Sequence, residues 1–324
     1  MKNNSPKLTQ IKDFKLGDII QGFYLCVDKS YKISKTGIPY LDILLSDNTG
    51  KVIGRLWENA DHFNKKFTKG DPVAVKGLPV EFMDQLQLNI KQINLAEHKK
   101  YDKYGFNPEK LVVSINENPQ KIISQVENIL NKINNSKLKK LCFDLLNKYS
   151  SDFTIYPASL NNHYPVKGGL LLHIYNCLCL CINFIKVYKY LDKDLMISGT
   201  FLHDIGKVES FSGKFVFEET SEVKLLGHEV LGQNILLEEI NLIKHFPEDL
   251  KNQLTHIVLS HHKNIIDGNR KWQRFPEALA IFNINRTDAQ MDIMNRVFLN
   301  ENINNQNWTD GKHHFKTSLL KKMI

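Results

Sequence analysis

Arginine is scarce in this sequence. Only Arg55, Arg270, Arg274, Arg286 and Arg296 stand among 43 basic residues, and with 35 acidic residues the formal net charge is +8. Lysine therefore carries nearly all the positive charge. It is a hydrated point charge without a planar fork, so the balance fits a polyanion met through its phosphates more than one read base by base. The five cysteines, Cys26, Cys142, Cys177, Cys179 and Cys181, show no C-x-x-C spacing. Cys177, Cys179 and Cys181 alternate along an apolar helical stretch and cannot all face one ion, so buried free thiols in a reducing compartment are expected. The first ten residues are polar, and no secretory leader is expected. The longest apolar run, 170–185, is interrupted by His173, Asn176 and Asn183; it reads as a core helix rather than a membrane span. No internal repeat and no long low-complexity tract breaks the chain. What remains is a globular composition, 42% hydrophobic and 24% charged over 324 residues, enough for two domains in a cytoplasmic protein with no membrane role.

Residues 1–100 punctuate as an all-β module. Strand-like runs at 19–27, 40–45 and 51–57 flank the turn cluster Ser46-Asp47-Asn48-Thr49-Gly50, a short helical piece covers 58–67, and further strands follow at 73–77 and 85–90. Five short strands with one small helix before the last pair make an OB-type barrel. Near residue 100 the period changes. A polar stretch leads into a helical connector over 101–150, where Ile122, Val126, Ile129 and Ile133, then Leu138, Leu141 and Leu145, recur at helical spacing. The chain stays mainly helical over 151–300, and 301–324 form a tail. The expected fold class is thus multidomain α and β: a five-stranded OB-type barrel, then an all-α bundle.

Eight of the twelve histidines fall between His163 and His262. His173 opens the apolar helix, His203-Asp204 ends the next, His228 follows Gly227 at the start of another, and His261-His262 end the helix after Pro247. Histidines at the ends of apolar helices are what ligands inside a bundle require. An imidazole beside a carboxylate can share a divalent ion, and Lys207, one turn on, could face a phosphate there.

The order His173, His203-Asp204, His228, His261-His262 resembles that of HD-domain phosphohydrolases in the arrangement able to hold two metals. The flanking text, from Tyr156-Pro157-Ala158 and Asn162-His163 through Leu202-His203-Asp204-Ile205-Gly206-Lys207 and Leu226-Gly227-His228 to Leu259-Ser260-His261-His262 and Pro276-Glu277-Ala278, resembles the YhaM-type 3′→5′ exoribonucleases. So do Gly37-x-Pro39-Tyr40-Leu41, Asp47-x-x-Gly50 and Leu56-Trp57 in the barrel. The resemblance implies an HD domain over 151–300 that hydrolyses single-stranded RNA, and also single-stranded DNA as a second substrate, from the 3′ end. It implies a pair of divalent ions, Mn²⁺ ahead of Co²⁺, Mg²⁺, Fe²⁺ or Ni²⁺. His173, His203, Asp204, His228, His261, His262 and Asn285 would be ligands, with Asp204 and Lys207 serving catalysis. The expected strand-binding residues are Tyr24, Tyr31, Lys35, Tyr40, Arg55, Trp57, Lys76 and Phe82 in the barrel, with His163 beyond it, because bases stack on aromatics above a basic groove. A homo-oligomer is compatible with all of this.

The sequence departs from that pattern at identifiable places. Asn285 stands where a metal-binding aspartate is expected, Phe282 replaces a histidine, and Lys263 and Ile266 occupy positions of a glycine and a glutamate. An amide oxygen can coordinate a hard cation but brings no charge, so weaker metal binding or slower turnover is expected. Two further readings stay open: a nucleic-acid-binding protein whose HD domain has lost its chemistry, and an HD phosphohydrolase of nucleotides.

Overall fold

The computed structural model describes residues 8–262, 273–300 and 307–320. It divides into two units, Met1–Val113 with Gly213–Glu218, and Ser114–Ser212 with Glu219–Ile324.

In the first unit, β1 (Ile20–Ile33), β2 (Pro39–Asp47), β3 (Gly50–Leu56), β4 (Pro72–Phe82) and β5 (Gln85–Leu95) close into a barrel in the order β1-β2-β3-β5-β4. β1 pairs antiparallel with both β2 and β4, while β3 and β5 run parallel. This is the five-stranded OB-type barrel. β1 serves two neighbours because its register shifts between Cys26 and Asp28; such a bulge bends a strand and raises its twist, as closure requires. Ile20, Tyr24, Leu41, Ile43, Leu45, Leu56, Leu88 and Ile90 fill the interior. The one helix within the barrel, α1 (Ala60–Asn64), is shorter than the expected 58–67, beginning only after Asn59, which sits at φ 52°. α2 (His98–Tyr101) follows the barrel.

In the second unit, α3 (Pro119–Leu130) and α4 (Ser136–Lys148) start cleanly because the Asn118 and Asn135 side chains accept from the first free backbone N–H groups. The stretch expected as a connector over 101–150 spans the boundary between the two units. Residues up to 113 group with the barrel, whereas α3 and α4 bury Ile122, Val126, Leu138 and Leu141 in the core of the bundle. Their apolar stripes need a partner surface, and this core supplies it. α5 (Ser150–Ile155), α6 (Gly169–Val187), α7 (Lys193–Leu202), α8 (Ser221–Leu226), α9 (His228–Asn241), α10 (Glu248–Ser260) and α11 (Pro276–Asn300) complete the bundle. α6 is long and apolar enough to cross a membrane by length and composition. Here it is a bundle helix, burying Leu170, Ile174, Cys177, Leu178 and Cys181. All five cysteines are free, four of them buried.

Candidate metal centre

Four helix ends bring the histidines, and the flank of a fifth helix brings an asparagine, to one place. His173 lies in the first turns of α6, His203 caps the C-terminus of α7, and Asp204 opens a 3₁₀ turn at Ile205–Glu209 that carries Lys207. His228 is the first residue of α9, His261 caps α10, and Asn285 lies on α11. The sequence folds this tightly because of Gly206: a Cβ there would sit 1.9 Å from the His228 carbonyl oxygen. Only glycine lets the turn bearing Asp204 and the start of α9 approach so closely.

Asp204 is fully buried, and its two oxygens divide the imidazoles. Oδ2 faces His173 Nε2 and His203 Nε2, each at 3.4 Å, and accepts from Lys207 Nζ at 2.7 Å. Oδ1 faces His261 Nε2 at 3.1 Å, His228 Nε2 at 3.5 Å and His262 Nε2 at 3.9 Å. All five rings present Nε2. Three have the other nitrogen fixed as a donor: His203 Nδ1–H donates to the Thr200 carbonyl at 2.7 Å, His261 Nδ1–H to the Val258 carbonyl at 2.8 Å, and His173 Nδ1–H to Asp288 Oδ2 at 2.7 Å. Such partners set the tautomer and aim the bare nitrogen inward.

The electrostatics agree with a cation site. Burial depresses His203 and His262, and pushes His228 down to about 4, so these rings are neutral at pH 7 and ready to coordinate. His173 is the exception: burial opposes a proton there, yet the Cys177 sulfur and hydrogen bonds to Asp204 and Asp288 outweigh it and raise that ring, so a metal at this position would displace a proton. Burial also works against charge on Asp204; Lys207 and the surrounding imidazoles prevail and hold the carboxyl well below the usual range. His228 Nε2 and His261 Nε2 face each other at 3.4 Å, and buried His203 Nε2 and Asn285 Oδ1 have no hydrogen-bond partner among the described residues. Acceptor set against acceptor is costly unless a proton or cation lies between. Atoms about 2.1 Å from a common ion lie roughly 3.0–3.4 Å apart, close to most of the separations found here. The residues present fit divalent metal.

Asn285 Nδ2 donates to the His261 carbonyl at 3.4 Å, so the substituted position lies at the centre with its oxygen uncommitted. Lys263 and Ile266 lie outside the described residues. Asp288 serves as the partner that orients His173 and also accepts from Tyr164 Oη at 3.0 Å; Asn176 Nδ2 donates to that same hydroxyl at 2.9 Å. Sequence reasoning missed Tyr164 and Asn176, whose only signal was their closeness to His163 and His173. His163, expected among strand-binding residues, is buried with its ring 4.9 Å from His173, and it forms a possible ligand group with His173 and Asp204. Burial pushes it down to about 2. Cys177, a buried free thiol as expected, lies with Sγ 3.8 Å from both His173 nitrogens. A cavity of about 230 Å³ opens on the centre, lined in part by Asn161, Asn162, His163, Lys207, His228 and His262.

In the barrel, Tyr40 and Trp57 stack at 4.5 Å, and Arg55 lies 5.1 Å above the Phe82 ring while bonding Asp42 at 3.4 Å. Lys32 pairs with Tyr40 in register, so these residues share an outer face. Lys35 is exposed in the β1–β2 hairpin. Tyr24 is a correction: it is fully buried and donates its hydroxyl to the Thr9 carbonyl at 2.6 Å, so it cannot stack on a base. Tyr31 pairs with Leu41, whose side chain points inward, and so lies off the Tyr40 face. Lys76 pairs with Gln21 on the β1–β4 side and lines a separate cavity there.

Residues 170–290 match the HD domain family. With the histidine–aspartate centre, the match marks a metal-dependent phosphohydrolase domain. The barrel region is similar to the second OB-fold domain of replication protein A from Methanococcus maripaludis, at 22% identity over 28% of this chain and 96% of that one, with a TM-score of 0.24. A crystal structure of a replication protein A domain from the same organism matches at 21% identity, over 28% and 97%, with a TM-score of 0.25. A replication protein A heterotrimer bound to ssDNA matches at 12% identity, over 31% and 79%, with a TM-score of 0.23. At such scores the assignment of the barrel rests on its own strand order.

Proposed function

We propose that this chain is a metal-dependent 3′→5′ exonuclease acting on single-stranded RNA, with single-stranded DNA as a second substrate and Mn²⁺ as the preferred ion. The observation that carries the reading is the pair of imidazole sets sharing one buried carboxylate beside a cavity lined by Lys207. His173, His203 and Asp204 would hold one ion, and His228, His261, His262 and Asp204 the other, with Asn285 Oδ1 as an uncharged donor. Divalent ions in such a cage supply Lewis acidity, bringing a water toward neutral pKa so that hydroxide is available for attack on phosphorus.

The chain's own residues do the rest. Asp204 stays ionised and offers an oxygen to each half of the centre. Thr200, Val258 and Asp288 hold three rings with Nε2 inward before substrate arrives, so no reorganisation is needed during reaction. Lys207 donates to Asp204 and lines the cavity, where its ammonium suits a nonbridging phosphate oxygen. Attack on the last phosphorus breaks its bond to the 3′-oxygen, which takes up a proton as a nucleoside 5′-monophosphate leaves. Tyr40, Trp57, Arg55 and Phe82 supply a stacking and charge surface suited to an unpaired strand.

The test is a 5′-labelled single-stranded RNA incubated with Mn²⁺ and with excess chelator. A ladder shortening from the 3′ end only with the ion supports the reading; cutting that persists in chelator overturns it. Asn285 favours one second reading, a strand-binding protein with a weakened centre. Asn285→Asp restores a formal charge, and the proposal expects faster turnover or tighter Mn²⁺ binding. A variant as inactive and metal-free as an inactive parent would favour binding alone.

A further inference from the structure

The 230 Å³ cavity over the histidines shares Asn161 and Asn162 with a second cavity of about 320 Å³. The second is lined by Ile293, Arg296 and Val297 of α11 and by Asp310, Lys312 and His314 of the C-terminal segment, among others. The two adjoin at this pair of exposed amides, so a path leading from the buried centre would reach an outer basin that holds Arg296 and Lys312 beside Asp310.

Local structure explains why these groups stand where they do. Ser159 fixes the neck, accepting from the Asn162 N–H at 2.8 Å and donating to the His163 carbonyl at 3.1 Å. The tail segment is folded back on itself: the Thr309 N–H donates to the Leu319 carbonyl, and the Leu319 N–H donates to Thr309 Oγ1. Asp310 spends one oxygen on the Lys312 backbone N–H at 2.8 Å, which sets the turn that holds the exposed Lys312 side chain at the basin. Arg296 bonds Asp292 through Nε at 2.9 Å, and this uses only one edge of its guanidinium.

A strand hydrolysed at its last phosphodiester must lead its remaining backbone out of the centre. Phosphates need spaced cations, and sugars need an apolar floor with amide donors for their hydroxyls. Lys312 and Arg296 supply the first, Ile293 and Val297 the second, Asn161 and Asn162 the third. We propose that this path is the track for the 3′-terminal segment of a single-stranded nucleic acid, and that the C-terminal segment is a substrate-binding element. The proposal rests on the phosphodiesterase reading of the histidine centre.

The experiment compares wild type with Lys312→Gln and with Lys312→Gln/Arg296→Gln. Binding of a labelled 12-nucleotide single-stranded RNA is measured by anisotropy in chelator across a salt series. Turnover with Mn²⁺ is measured on the same RNA and on bis(p-nitrophenyl) phosphate, a diester too small to reach the basin. Each lost phosphate contact should flatten the slope of log K against log salt by about 0.7, thus about 1.4 for the double variant. KM for the RNA should rise several-fold with kcat held, and turnover of the small diester should not change. Unaltered slope and KM would overturn the track, as would an equal loss on both substrates, which would mean damage to the centre. Should wild type hydrolyse neither substrate, the phosphodiesterase reading fails while the salt slope still decides the track.

Discussion

The two oxygens of Asp204 look onto different worlds. On the Oδ2 side, the side chains of His173 and His203 are fully buried and Lys207 is 6% exposed. Both rings there have Nδ1 committed, to Asp288 and Thr200. On the Oδ1 side, the side chains of His228 and His262 are 20% and 34% exposed. His228 has Glu229, at 3.6 Å, near its other nitrogen. Both Oδ2 rings are buried and braced; on the Oδ1 side His261 is likewise buried and braced, through Val258, while His228 and His262 border the cavity. Rigid support is concentrated where solvent is absent, because an unpaired polar group is costly there and a water can repair it elsewhere.

The largest effect should come from removing what the halves share. Asp204→Ala should lower RNA turnover by about 10³-fold, several kcal/mol of lost charge stabilisation, measured as the initial rate of 3′ shortening. Splitting the halves is more informative. Asp288→Asn leaves His173 Nδ1 without its anionic partner, and the Oδ2 side, expected to be the tighter site, should lose Mn²⁺ affinity about 10–100-fold in a titration. His262→Ala should leave that tighter site intact while slowing turnover; equal losses of affinity would erase the distinction drawn here. Saturation should also stabilise: Mn²⁺ at ~100 times its Kd adds about 2.7 kcal/mol, raising the melting temperature of a domain this size by about 5–10 °C. Chelator should reverse the shift, and Asp204→Ala should show none. In the barrel the contrast is between buried and facing aromatics. Trp57→Ala should weaken single-strand binding by about 1–3 kcal/mol, whereas Tyr24→Phe should cost about 1 kcal/mol of stability and leave binding unchanged.

The same contrast explains what the sequence could reveal. Histidines at the ends of apolar helices were legible because period and chemistry coincide in one stretch of chain. The role of Asp288 was not: it lies 115 residues from the ring it orients, and only the packing of α11 against α6 brings them together. Tyr24 and Tyr40 are alike in type and in strand context. The bulge between Cys26 and Asp28 shifts the phase of β1, so alternation counted through it misjudges which side a residue faces. The strands themselves were found by their alternation, but β1 and β4 run further than expected. The far end of β1 continues as exposed hairpin, where pairing rather than burial maintains the strand.

The most direct measurement is the metal content of the intact chain after loading with Mn²⁺ and removal of excess, beside His262→Ala and Asp204→Ala. The account predicts a pair of ions per chain in wild type, a single ion when His262 is lost and none without Asp204. A wild-type chain that retains no Mn²⁺, or an Asp204→Ala chain that retains as much as wild type, would contradict it.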